Sequence, residues 1–114
     1  ALALQCLYDV PVELDLTKAR QVSQLVCREG GYRVDRWKPV VGDALFVRES
    51  GAVAAQFHVP DAIEPYSSAV VAAPRGIVLG KKSGLANIEI KVKELNLQVP
   101  PERFPALLTA VKNL

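Results

Sequence analysis

Between residues 15 and 29 the apolar positions Leu16, Ala19, Val22, Leu25 and Val26 recur at spacings of three and four. That repeat places them on one face of an α-helix. Asp15 stands where its carboxylate can accept from the free amides of the first turn. Gly30 and Gly31 supply a stop, because glycine tolerates the left-handed cap. Upstream, residues 1–14 are apolar without a clear period, and Leu2, Leu4 and Leu7 fit the last turns of a helix. Residues 32–42 read as loop, with Pro39 and Gly42 as breakers. Ala44 to Val59 is the next ordered stretch, with Phe46, Val53 and Phe57 facing a core at helical spacing. Pro60 ends it and biases Val59 away from helix. Residues 62–73 are irregular or extended. The short apolar run Gly76-Ile77-Val78-Leu79-Gly80 lies between glycines and predicts a buried strand, with residues 69–71 as its candidate partner.

Residues 85–95 carry two periods at once. Leu85, Ile88, Val92 and Leu95 fit a helix, while Ile88, Ile90 and Val92 alternate as in a strand; length and the Ser83 and Asn96 flanks favour the helix. A final helix is announced by Pro100-Pro101 before Glu102. Pro105 is tolerable in its first turn, where amides lack helical partners, and Phe104, Leu107, Leu108 and Val111 form its apolar face. The expected fold is α+β, mostly helical, with a two-stranded element around residues 68–80.

Composition narrows the function classes. At 114 residues the chain suffices for one compact domain. Its net charge of +2 is spread over interspersed acids and bases, with no basic stripe to mark a nucleic-acid partner. No apolar run approaches the ~18 residues of a membrane-spanning helix, and the start lacks the basic region of a signal peptide. Cys6 and Cys27 form no close metal-type pair, and two reduced thiols in a cytoplasmic protein is the simplest reading. A single histidine, His58, falls short of the three or more ligands that a metal site needs, so no metal or cofactor is expected on this chain itself. The chain contains no methionine, hence no initiator, and this favours a portion of a longer protein over a separate subunit.

Three motifs occur in a fixed order. Lys38-Pro39-Val40-Val41-Gly42-Asp43-Ala44-Leu45-Phe46-Val47-Arg48-Glu49-Ser50-Gly51 resembles the K-P-[IV]-V-G-x-x-A-F-x-H-E-S-G-I-H stretch of isopropylmalate and homocitrate synthases. Gly76-Ile77-Val78-Leu79-Gly80-Lys81-Lys82-Ser83-Gly84 resembles their I-V-L-G-K-H-S-G signature, and Ile63-Glu64-Pro65-Tyr66 between them is similar to Y-E-P-[FY]. Each match is short, but together, in order and at the right separations, they cover residues 12–114.

The resemblance implies a parent with a (β/α)8 barrel that uses a divalent metal to condense an acyl-CoA with a 2-oxo acid, in amino-acid biosynthesis, or that runs the aldol-type cleavage. A barrel takes about 250 residues and cannot fit here. By the same resemblance, residues 1–31 correspond to the end of the barrel region and a linker helix. Residues 32–114 correspond to small subdomains that intertwine across a homodimer and complete the partner's active site. The alternative is a free-standing subunit that completes a separate barrel-containing chain. Tyr32 and Trp37 are expected as packing anchors at an interface or domain seam.

Four family positions differ: the histidine of H-E-S-G is Arg48, the following histidine is Val53, the tyrosine of Y-E-P is Ile63 and the histidine of G-K-H-S-G is Lys82. Valine cannot transfer a proton, which imidazole does well near neutrality. The catalytic candidates left are Arg48, Glu49, His58 and Tyr66, with His58 more simply read as a surface or half-buried histidine. Gly80, Lys81, Lys82, Ser83 and Gly84 form a candidate anion or CoA-phosphate cradle, since loop amides and a hydroxyl at a helix start suit such a group. The competing reading is a tight turn with exposed lysines. Lys91, Lys93 and Glu94 read as a solvated helix face.

Overall fold

The computed structural model describes residues 1–114, and the chain forms two compact units, each built from two stretches. The first comprises Ala1–Phe46 and Glu64–Arg75, the second Val47–Ile63 and Gly76–Leu114.

In the first unit, helix α1 covers Leu2–Leu7 and helix α2 covers Ala19–Gly30, led in by a 3-10 turn at Leu16–Lys18. The expected caps are both present. Asp15 accepts from the Thr17 amide at 3.1 Å and from its hydroxyl. That hydroxyl bond, followed by lesser contributions from Lys18 and the Thr17 amide, holds the Asp15 carboxyl below its ordinary range. At the other end Gly31 adopts φ +68°, a left-handed conformation that disfavours a side chain. Arg20 ties α2 to the rest of the unit: its guanidinium pairs with Asp43 and donates to the Ala72 carbonyl at 3.3 Å.

Residues 32–42 form a turn-rich loop, in which the Trp37 amide donates to Asp35 Oδ1 at 2.7 Å. The unit's buried apolar residues are Ala44, Phe46 and Val71. Phe46 and Tyr66 pack edge to face, with centroids 5.6 Å apart and planes at 83°. Tyr32 and Trp37 are exposed in this chain. The apolar face of α2 is exposed as well: Val22, Leu25 and Val26 keep 57%, 48% and 55% of their surface.

In the second unit, strand β1 (Val47–Arg48) pairs in parallel with β2 (Gly76–Ile77), Val47 opposite Gly76 and Arg48 opposite Ile77. Helix α3 covers Gly51–Ala55, α4 covers Leu85–Glu94 and α5 covers Phe104–Lys112. Ala54, Ile77 and Ile88 are its buried apolar residues. The doubly periodic segment is therefore helix, and its charged face holds the ion pairs Lys93–Glu89 and Lys91–Glu94, both at 2.8 Å. Such surface pairs contribute only tenths of a kcal/mol, about 0.3–0.5 each. Pro105 sits in the first turn of α5, as its missing amide requires. No helix is long and apolar enough to cross a membrane.

Two expectations need correction. Residues 69–71 do not pair with the 76–80 run. They lie in a 3-10 turn, Ser68–Val71, started by Ser67, whose Oγ accepts from the Ala69 amide at 3.3 Å. Local bonds from Val70, Ala72 and Ala73 to the carbonyls of Ser67, Ala69 and Ser68 take up the groups a ladder would use. The partner of β2 comes instead from residues 47–48. Nor is Ala44–Val59 one helical stretch: Phe46 is core, residues 47–48 are strand, and only the short α3 follows, with Val53 and Phe57 half-buried. The break falls at Ser50, which is extended (φ −61°, ψ 129°) because the backbone on either side bonds to residues 78–87.

Candidate functional site

The end of the first motif, residues 47–51, meets the third motif in the second unit. After Arg48 leaves β1, its carbonyl accepts from the Val78 amide at 2.9 Å. The next residue, Glu49, is held twice: its backbone carbonyl accepts from Asn87 Nδ2 at 2.8 Å, and its carboxylate Oε1 accepts from the Lys82 amide at 3.0 Å. The Gly51 amide then donates to the Lys82 carbonyl at 3.0 Å. Arg48 itself is part-buried and donates from Nη1 to the Val47 carbonyl at 3.0 Å.

Close backbone approach explains the glycines. A Cβ on Gly51 would lie 2.7 Å from Gly84 Cα and N, and a Cβ on Gly80 would lie 2.5 Å from Glu49 Oε1. A larger residue at Gly51 would push the two backbones apart, while one at Gly80 would displace the Glu49 carboxylate. Asn87 is 0% exposed and completes the join from α4, accepting from the Gly84 amide at 2.9 Å while donating to Glu49.

The Gly80–Gly84 loop has few amides left for an external anion. The Gly80 amide donates to Ser83 Oγ at 2.9 Å, the Ser83 amide to the Gly80 carbonyl at 3.1 Å, and the Lys82 and Gly84 amides to Glu49 and Asn87. Ser83 is buried, so its hydroxyl serves the turn, while the side chains of Lys81 and Lys82 are exposed.

The remaining candidates lie elsewhere. His58 lines a cavity of about 280 Å3 with Ala54, Ala55, Ala86, Glu89 and Lys93. Tyr66 belongs to the first unit, where it packs on Phe46. Beside it in sequence, Glu64 has a side chain only 1% exposed and pairs with Arg75 Nε at 2.6 Å, leaving its other oxygen buried with no partner. Of the family positions that differ, Val53 is half-buried on α3 and Ile63 half-buried after the Pro60–Ala62 turn. Sequence reasoning singled out neither Asn87 nor the Glu64–Arg75 pair. Asn87 sits three residues after Gly84, a helix-start spacing that was open to notice.

No three His, Cys, Asp or Glu side chains come together to hold a metal ion. The divalent cation that the motifs imply for the parent therefore finds no fitting set of ligands within these residues. Cys6 and Cys27 are both free.

No protein-family model matches the chain. Individual proteins do, over almost all of it. A 2-phosphonomethylmalate synthase of Streptomyces rubellomurinus is 36% identical over 113 residues, 98% of this chain and 30% of that protein. Homocitrate synthase 1 of a Nostoc species is 31% identical over 112 residues, 97% of this chain and 30% of that protein. A homocitrate synthase of Methanocaldococcus jannaschii is 31% identical over 114 residues, 99% of this chain and 28% of that protein. The chain thus spans less than a third of the length of these relatives. Matched over nearly its whole length by one part of each of these synthases, the chain is a homologue of the C-terminal region of the isopropylmalate and homocitrate synthase-like enzymes.

Proposed function

We propose that this chain is the C-terminal portion of a cytoplasmic enzyme that condenses an acyl-CoA with a 2-oxo acid. In this reading it supplies contacts to a second subunit and residues to that subunit's active site, and holds no catalytic centre of its own. The observation that carries it is the coverage: 97–99% of this chain aligns with under a third of each synthase. The exposed face of α2 supports the contact role, since Val22, Leu25 and Val26 form an amphipathic stripe with no cover inside the chain. The divalent cation and the acyl-CoA belong to the rest of the parent. There the cation would polarise the 2-oxo carbonyl as a Lewis acid. With valine at position 53, the proton transfers fall to another group; His58 and Tyr66 are the titratable side chains this region can contribute, while Arg48 can offer only a fixed positive charge.

The test is a thiol-release assay on the whole gene product, with acetyl-CoA, a series of 2-oxo acids and magnesium or manganese. Release of CoA that needs both substrates and stops with a chelator is the expected result. A folded whole product that releases no CoA with any 2-oxo acid, yet cleaves a hydroxy acid, would move the assignment to the lyases. A denatured mass of the gene product near the 12.4 kDa of this chain would refute the parent-enzyme reading.

A further inference from the structure

The Gly80-Lys81-Lys82-Ser83-Gly84 loop offers one backbone amide, that of Lys82, to a carboxylate. We propose that the resident anion of this loop is the chain's own Glu49 carboxylate, so that the loop is a self-filled seat and not a site for free phosphate or the phosphates of CoA. Three observations converge. Glu49 Oε1 accepts the Lys82 amide at 3.0 Å. That same oxygen lies so close over Gly80 that a Cβ there would come within 2.5 Å of it, so the glycine makes room for the carboxylate itself. The loop amides of Gly80, Ser83 and Gly84 are already bonded inside the protein, to Ser83, Gly80 and Asn87.

The physical logic is that of a charge-assisted hydrogen bond. A carboxylate bonded to a backbone amide gains more than a neutral acceptor does. An external anion would have to displace a tethered group whose effective concentration is high. Glu49 precedes Ser50-Gly51, whose backbone is pinned to Lys82. The carboxylate therefore also sets where the chain leaves β1 and enters α3, which makes Glu49 a positioning residue of this region. The two exposed lysines then lie beside a seat whose charge is already met.

The seat is testable without reference to any catalytic activity, and so separately from the proposed function. The experiment uses the whole gene product, with acetate and inorganic phosphate as probes and chloride at matched ionic strength as reference. Wild type is expected to show no change in exchange of the Lys82 amide specific to acetate or phosphate. Glu49→Ala empties the seat and is expected to unfold at lower temperature, with part of that loss restored by acetate but not by chloride. Glu49→Asp, with the same charge on a shorter stem, is expected to fall between Glu49→Ala and wild type. Glu49→Leu fills the volume without an acceptor and is expected to show no restoration by acetate. In Glu49→Leu the Lys82 amide should exchange with solvent about tenfold faster or more, as loss of a bond to a charged acceptor predicts. A phosphate-specific slowing of Lys82 amide exchange in wild type, or Lys82 exchange in Glu49→Leu as slow as in wild type, would overturn the proposal. If Glu49→Ala does not fold, the exchange rate in Glu49→Leu decides.

Discussion

Replacing Arg75 by alanine should be among the most damaging single changes in the first unit. The Glu64 side chain is 1% exposed, with one carboxylate oxygen 2.6 Å from Arg75 Nε and the other buried without a partner. The desolvation of such a carboxylate is offset only by its guanidinium. Removing one partner of a buried pair costs about 3–5 kcal/mol, most of it from the charge left behind. The Arg75 side chain is itself 25% exposed, so some solvent reaches the pair and the expected loss is at the lower end, about 3 kcal/mol. Urea unfolding followed by circular dichroism measures it as a fall in midpoint at unchanged slope.

A second arm fixes the mechanism. The double change Glu64→Leu with Arg75→Met removes both charges at similar volume and should recover most of the loss. A deficit under about 1 kcal/mol, the scale of an exposed pair, or one that the double change does not relieve, would refute a desolvated Glu64.

Three other predictions concern the second unit and the first helix. Asn87→Ala strips partners from the Gly84 amide and the Glu49 carbonyl at a fully buried position, and should cost about 2–3 kcal/mol in the same unfolding measurement. Gly51→Ala places a Cβ 2.7 Å from the Gly84 backbone, which cannot rotate away; the expected loss is about 1–3 kcal/mol, with faster amide exchange at Asn87 as the local readout. Asp15 should titrate below an ordinary aspartate in an NMR pH series, because its ionised form accepts from Thr17. Its depressed folded pKa means that its support of α2 is present above pH ~4 and is lost as pH falls through the folded value.

The parts legible in the sequence are those whose causes lie within a few residues. Asp15, the apolar repeat through Val26 and the Gly30-Gly31 stop define α2 with local interactions alone, and Pro100-Pro101 and Pro105 do the same for the start of α5. The short motifs were legible too, as ordered strings that point to a family. Strand pairing was not: β2 has its partner about thirty residues upstream, and two-residue strands leave no period to read. The 69–71 segment was misplaced because Ser67 offers it a local turn, a competitor that alternation alone does not reveal. The loop at residues 80–84 shows the same limit in chemical terms. Its residue types fit either an anion seat or a tight turn with exposed lysines, and only the tertiary structure, by bringing Glu49 to Lys82 across 33 positions, decides what meets its amides. Backbone donors are identical in every sequence, and what they bind depends on which acceptor the fold delivers.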